Sequence, residues 1–180
     1  LEQLREIAQS GADALIVQDL GVARLARDCC PALPLHASTQ LSVHSLKGAQ
    51  AMKDLGFSCI VLARELTGAE IAAIHEGMGD SIALETFVHG ALCMSLSGQC
   101  YLSAMLGERS GNRGLCAQPC RLDFRAPQGR EYALSLKDLS LVPRMAELEK
   151  TGVIYLKIEG RMKRPEYVAA ATAACRAALD

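Results

Sequence analysis

Four cysteines between Glu85 and Arg121 are the residues of this sequence best suited to chemistry. Cys93 and Cys100 are separated by six residues, Cys116 follows after fifteen more, and Cys120 after a further three. Thiolates are soft ligands, and four of them without a ligating histidine suit zinc or an iron–sulfur cluster. A helix over residues 92–105 would set Cys93 and Cys100 on one face, about 10 Å apart along its axis. That is wide for a single ion. It suits a larger cluster, or a helix that starts only after Cys93, and Gly90 and Gly98 permit such irregularity. Ala117, Gln118 and Pro119 form a compact turn between Cys116 and Cys120 that can bring both sulfurs to one centre. The plainer alternative is four packed free thiols, since free cysteine behaves as a small hydrophobe. Cys29, Cys30, Cys59 and Cys175 fit that alternative better, because they fall in helix or strand patterns outside metal-ligand spacing.

Other reactive groups gather where strand patterns end. Gln40, Arg64, His89 and Glu159 follow or close apolar runs, and Lys157 lies two residues before Glu159, on the same face of an extended strand. Glu85 falls inside a strand pattern. An unpaired carboxylate is costly to bury, so Glu85 is expected to face an open edge or meet a cation. Glu85, His89, Arg64, Lys157 and Glu159 are the catalytic candidates, with internal ion pairing as the competing role for Lys157 and Glu159. Gln40, Arg64 and Arg161 are the substrate-binding candidates, because guanidinium groups grip carboxylates with two parallel hydrogen bonds. A peptidase would need an activated nucleophile or a metal-bound water, and the sequence has neither a GxSxG elbow nor an HExxH pair. His89 and Cys93 are four apart, which makes a pair only on a helix, and His89 ends a strand pattern.

The elements that must position these groups follow a regular rhythm. Helical spacing over Leu1–Ala8 stops at Gly11, and the apolar run Ala14–Val17 follows. Helices over Gly21–Cys30, His44–Leu55, Thr67–Glu76 and Leu141–Lys150 alternate with apolar runs at Leu35–Ser38, Cys59–Leu62, Ile82–Val88 and Val153–Ile158, and Pro165–Leu179 closes the chain as a helix. Thr67 with Glu70 reads as a capping box. Short apolar strands alternating with helices predict βαβ units and a parallel sheet buried on both faces. Five such strands are too few for the eight of a closed (β/α) barrel, so the expectation is an open α/β sheet or the C-terminal part of a barrel. Residues 107–137 break the rhythm and read as an ordered excursion.

At 180 residues and half hydrophobic, the chain fits one domain, and its formal net charge of −1 gives no overall pull toward nucleic acid or membrane. No apolar run approaches a membrane span, and there is no secretion signal. Eight cysteines in such a chain are therefore expected to be reduced thiols, some of them ligands, in a cytoplasmic protein. The first residue is Leu, which points to a longer parent protein. Charge is locally uneven. Arg109, Arg113, Arg121, Arg125 and Arg130 outnumber Glu108 and Asp123, and Lys157, Arg161, Lys163 and Arg164 outnumber Glu159. Such clusters either contact RNA phosphates or form a solvated face.

Glu85, Phe87, Gly90-Ala91-Leu92-Cys93, Gly98, Cys100 and Leu102-Ser103 match, position by position, the signature of the collagenase-like peptidase family U32. Cys116, Cys120-Arg121, Lys137-Asp138-Leu139 and Lys157 to Arg161 are similar to it as well, so the resemblance covers nearly the whole chain. It implies that residues 1–180 are the last five βα units of a (β/α)8 barrel, one partial domain with a Cys-rich insertion at about 90–135, whose opening strands precede this sequence. It also implies a function. Branches of the family are associated with oxygen-independent hydroxylation of a tRNA uridine, a 23S rRNA cytidine or the ubiquinone ring. The RNA branches draw on prephenate, and members carry a 4Fe–4S cluster. By position, its ligands here are Cys93, Cys100, Cys116 and Cys120. Residues Arg109–Cys120 are most similar to the rRNA branch. The implied partners are an RNA, a small-molecule donor such as prephenate, and a redox partner. The alternatives are a peptidase, after the family's name, and a zinc-stabilised RNA-binding module.

Overall fold

A computed structural model describes residues 1–129, 131–160 and 163–180. The chain forms two compact units, Leu1–Thr86 with Ala146–Leu156, and Phe87–Met145 with Lys157–Asp180. Its elements are α1 (Glu2–Gln9), β1 (Leu15–Val17), α2 (Leu20–Cys29), β2 (Leu35–Ala37), α3 (Leu46–Asp54), β3 (Cys59–Val61), α4 (Gly68–Met78), β4 (Ala83–Gly90), α5 (Leu102–Gly107), β5 (Leu139–Ser140), α6 (Met145–Glu149), β6 (Tyr155–Ile158) and α7 (Pro165–Ala177).

In the first unit, β1, β2, β3 and the start of β4 pair in parallel, with Ile16 opposite His36, His36 opposite Cys59, and Cys59 opposite Ala83. Ile154 extends the pairing by donating its N–H to the Leu84 carbonyl at 3.0 Å. Alternation along each strand separates two faces. Val17, Leu35, Ala37, Ile60, Leu62 and Leu84 point into the main apolar core together with Ala23, Ala26, Ala49, Ile71, Ile74 and Met78 from helices α2 to α4. The small alanines let these helices lie close against the sheet. The opposite face carries Ile16, His36, Cys59, Val61 and Glu85.

Helix starts are set by short polar side chains. Asp19, Ser45 and Thr67 accept from backbone N–H groups of the first turns of α2, α3 and α4. Thr67 and Glu70 form the expected reciprocal box. Ser38 and Thr39 pin the end of β2. The Ser38 hydroxyl accepts from the Gln40 N–H, and the Thr39 hydroxyl donates to the Leu62 carbonyl.

In the second unit, the end of β4 pairs antiparallel with β5, His89 opposite Ser140 and Gly90 opposite Leu139. Glu159 donates its N–H to the His89 carbonyl at 2.8 Å. Gly90 is obligatory here. Its φ is +121°, and a Cβ would stand 2.5 Å from the Glu159 carbonyl oxygen.

Three expectations need correction, and one open alternative is decided. The two-residue β5 makes a sixth strand, antiparallel where only parallel pairs were expected. Leu141–Lys150 is a 3-10 turn, Val142–Arg144, followed by the short α6. Over 92–105 the second of the two alternatives holds, a helix that starts only after Cys93. Ser97, at φ 37° and ψ 42°, breaks the first turn, and α5 begins only at Leu102, after both cysteines. The sheet face opposite the core is partly open rather than buried, with Ile16 at 50% exposure. Among the described residues β1 ends the strand order, so these strands make an open α/β sheet and not a closed barrel.

Candidate functional site

The four cysteines of interest lie in the second unit. Cys93 follows β4, Cys100 precedes α5, Cys116 comes shortly before the 3-10 segment Pro119–Arg121, and Cys120 lies within that segment. All four are free thiols and partly buried. Gly111 joins two of them, because its Cβ position is 3.7 Å from the Cys100 carbonyl oxygen and 3.8 Å from Cys116 Cβ. Burial pushes the Cys120 thiol above its usual range. The Arg121 guanidinium pulls against that shift, and the neighbouring Cys93 and Cys116 thiols add to it. Cys120 is thus in electrostatic reach of both.

Backbone N–H groups face two of the sulfurs. Leu102 N–H donates to Cys100 Sγ at 3.4 Å, and Gln118 N–H to Cys116 Sγ at 3.3 Å. Each comes from the residue two positions on, in a local turn. Ser103 Oγ, on a 4% exposed residue, accepts from Ala117 N–H at 2.9 Å and ties α5 to the Cys116 turn.

Arg121 holds the segment together. Its guanidinium donates to the carbonyls of Leu136 and Leu92 and to Ser135 Oγ, and pairs with Asp138 at 3.1 Å. One side chain therefore links the neighbours of Cys93 and Cys120 to residues 135–138. Charge clustering left Arg121 as either a phosphate contact or part of a solvated face; its guanidinium is spent on internal partners. Arg125 pairs with Asp123 and Glu131, and Arg109 donates to the Leu115 carbonyl. Arg130 and Arg161 lie outside the described residues.

The remaining candidates divide between the units. In the second, His89 Nδ1 is 3.0 Å from Tyr167 Oη, with the two rings edge to face. Lys157 Nζ stands 5.9 Å from the centre of the Phe87 ring. In the first, Arg64 follows β3 and Gln40 lies in the 3-10 turn after β2. Glu85 is brought together with two residues that spacing did not single out as ligands. Among the described residues, one ligand atom each from His36, Cys59 and Glu85 lie within 4.8 Å of one another, a group able to hold a metal ion. The available signal was a polar or ligating residue on the same face of three successive apolar strands.

The model of peptidase family U32 matches residues 1–180. Among curated proteins, a 23S rRNA 5-hydroxycytidine synthase of Escherichia coli (strain K12) is 44% identical, over 98% of this chain and 27% of its own length. The tRNA hydroxylation protein P1 of Bacillus subtilis (strain 168) is 35% identical, over 99% of this chain and 45% of its own. A collagenase of Porphyromonas gingivalis is 34% identical, over 86% of this chain and 41% of its own. The chain thus spans less than half the length of these relatives. The solved structure of the U32 peptidase Mk0906 is similar in fold, with a TM-score of 0.54 at 16% identity, over 88% of this chain and 61% of that one.

Proposed function

The chain belongs to peptidase family U32, and from that premise we propose that it is the iron–sulfur part of an enzyme for oxygen-independent hydroxylation of RNA. The observation that carries the proposal is the set of four free, partly buried thiols in one unit, two of them facing backbone N–H groups. Four thiolates without a ligating histidine are a donor set that suits a 4Fe–4S cluster. Cys93, Cys100, Cys116 and Cys120 would hold it, and when bound it would supply one-electron chemistry. The chain's own contribution is to hold the four sulfurs through Arg121 and Ser103 and to direct N–H dipoles at two of them. Such hydrogen bonds tune a cluster's potential.

The relatives named for rRNA and tRNA hydroxylation support an RNA substrate, a cytidine in the first case and a tRNA nucleoside in the second. Under the same reading the chain is the C-terminal five βα units of a (β/α)8 barrel. A small-molecule donor such as prephenate is then a partner, an external partner supplies electrons, and the protein works in the cytoplasm. No helix among the described residues is long and apolar enough to cross a membrane. The collagenase relative is the observation that favours a peptidase instead.

The test is nucleoside mass spectrometry on RNA from cells that lack the full-length protein. A hydroxylated cytidine or uridine should disappear, return with the wild-type gene, and fail to return with Cys93→Ala or Cys116→Ala. Unchanged hydroxynucleosides, with peptide cleavage that survives both variants, would establish the peptidase. Salt-sensitive RNA binding without turnover would leave only a binding module.

A further inference from the structure

The first unit carries a ligand set that shares no residue with the four cysteines. His36, Cys59 and Glu85 come from β2, β3 and β4, three neighbouring parallel strands. His36 stands opposite Cys59 in the register. Cys59 stands opposite Ala83, so Glu85 is two residues further along and on the same face. A glutamate side chain is long enough to reach back across that diagonal. An imidazole nitrogen, a thiol sulfur and a carboxylate oxygen thereby converge within 4.8 Å.

The setting is fixed by backbone. The three strands are hydrogen-bonded to one another, and Thr39 adds its contact to the Leu62 carbonyl just beyond the ladder. Ligands placed on strands are held more firmly than ligands on loops. The Tyr155 ring lies against the imidazole, centre to centre 6.3 Å and tilted by 30°. Cys59 is 1% exposed, while His36 and Glu85 are half-buried, so the group has a dry floor and a wetter rim.

We propose that His36, Cys59 and Glu85 form a binding site for one borderline divalent cation, zinc above all, with a fourth position open to water. Nitrogen, sulfur and oxygen donors together suit zinc better than the hard cations, which take oxygen alone. Charge supports the same choice. A thiolate and a carboxylate neutralise a divalent ion, so the filled site carries no net charge into a partly buried place, where an unbalanced ion would be costly. Bond lengths of about 2.0–2.3 Å require the three donors to close by roughly 1 Å from that 4.8 Å limit, a side-chain adjustment. Three protein ligands and an open fourth position are the pattern of zinc sites that activate a water.

The test uses the full-length protein, handled anaerobically and freed of loose metal with a chelator. Zn²⁺ alone is titrated and bound zinc counted. Co²⁺ alone is then added to read a thiolate-to-cobalt charge-transfer band. One equivalent should bind to wild type and equally to Cys93→Ala/Cys116→Ala, which marks it as separate from the four-cysteine set. Loss of a true ligand should weaken binding by more than the roughly 10–100-fold that loss of an outer partner causes. Glu85→Gln and His36→Gln, which keep side-chain volume, should each do so, and Cys59→Ala should also abolish the band. Metal-free melting of each variant checks its fold. A variant that melts like wild type yet keeps a full equivalent overturns the proposal, as does a wild type whose zinc binding vanishes in Cys93→Ala/Cys116→Ala.

Discussion

In the first unit, backbone groups are satisfied by ladders and helices, and fifteen buried residues form one apolar core. In the second, the cysteine-bearing stretch relies on side chains. Arg121 supplies four contacts, Ser103 one, and the local turns are completed by sulfur acceptors. Backbone conformation follows the same division. Of the five non-glycine residues at positive φ among the described residues, Ser97, Glu108, Gln118 and Tyr132 lie in the second unit, and only Ser42 in the first. Each such residue costs about 1 kcal/mol or more. The difference teaches that the first unit is stabilised by repetition, whereas the second is held by a few side chains. Under the proposed function a bound cluster would add stabilisation, because binding free energy is folding free energy for such a segment.

Arg121→Met should break this comparison most sharply. Removing the guanidinium strands the Leu92 and Leu136 carbonyls and leaves Asp138 unpaired. Iron content of the anaerobic protein should fall to a small fraction of wild type, while amides of β1 to β3 keep their hydrogen-exchange protection. Uniform loss of protection in both units would show that the division into two units is wrong.

Leu84→Ala tests the opposite side. Leu84 is 1% exposed in the first unit's core. Its truncation should cost about 2–5 kcal/mol in chemical denaturation and leave the iron content per folded molecule unchanged.

Gly90→Ala should come next, at about 1–3 kcal/mol, because its φ and the nearby Glu159 carbonyl both oppose a side chain. The loss should register at β4, β5 and Glu159, and an unchanged melting temperature would contradict the close approach.

Thr67→Ala is the mildest, at about 1 kcal/mol. Thr67's backbone N–H, and then its hydroxyl, hold the Glu70 carboxyl below its usual range. A lowered carboxyl contributes stability that is present above its unfolded value and lost as pH falls through the folded one. Protection at the start of α4 should therefore weaken on acidification, and Glu70→Gln should remove that dependence.

The first unit was largely legible in the sequence because its physics is local. Apolar runs such as Cys59–Leu62, glycine stops and the Thr67–Glu70 box each act over a few residues. The second was legible only as a place where chemistry could gather. Arg121 meets partners 14 to 29 residues away, so no window of sequence contains its role. A two-residue strand such as β5 has no periodicity to read. Gly90 and Gly98 signalled that 92–105 could be irregular, but nothing in the local pattern located the break at Ser97. The His36, Cys59 and Glu85 group was hidden for another reason. Its members are more than twenty residues apart in sequence, and only the parallel register makes them neighbours.

The central claim is that Cys93, Cys100, Cys116 and Cys120 hold one iron–sulfur cluster. Its most direct test is iron and acid-labile sulfide analysis of anaerobically purified full-length protein, read beside its visible spectrum. The account predicts brown protein with about four iron and four sulfide per chain, reduced to near none by any one of the four Cys→Ala changes. Colourless protein holding one zinc on these cysteines under strictly anaerobic handling would contradict it.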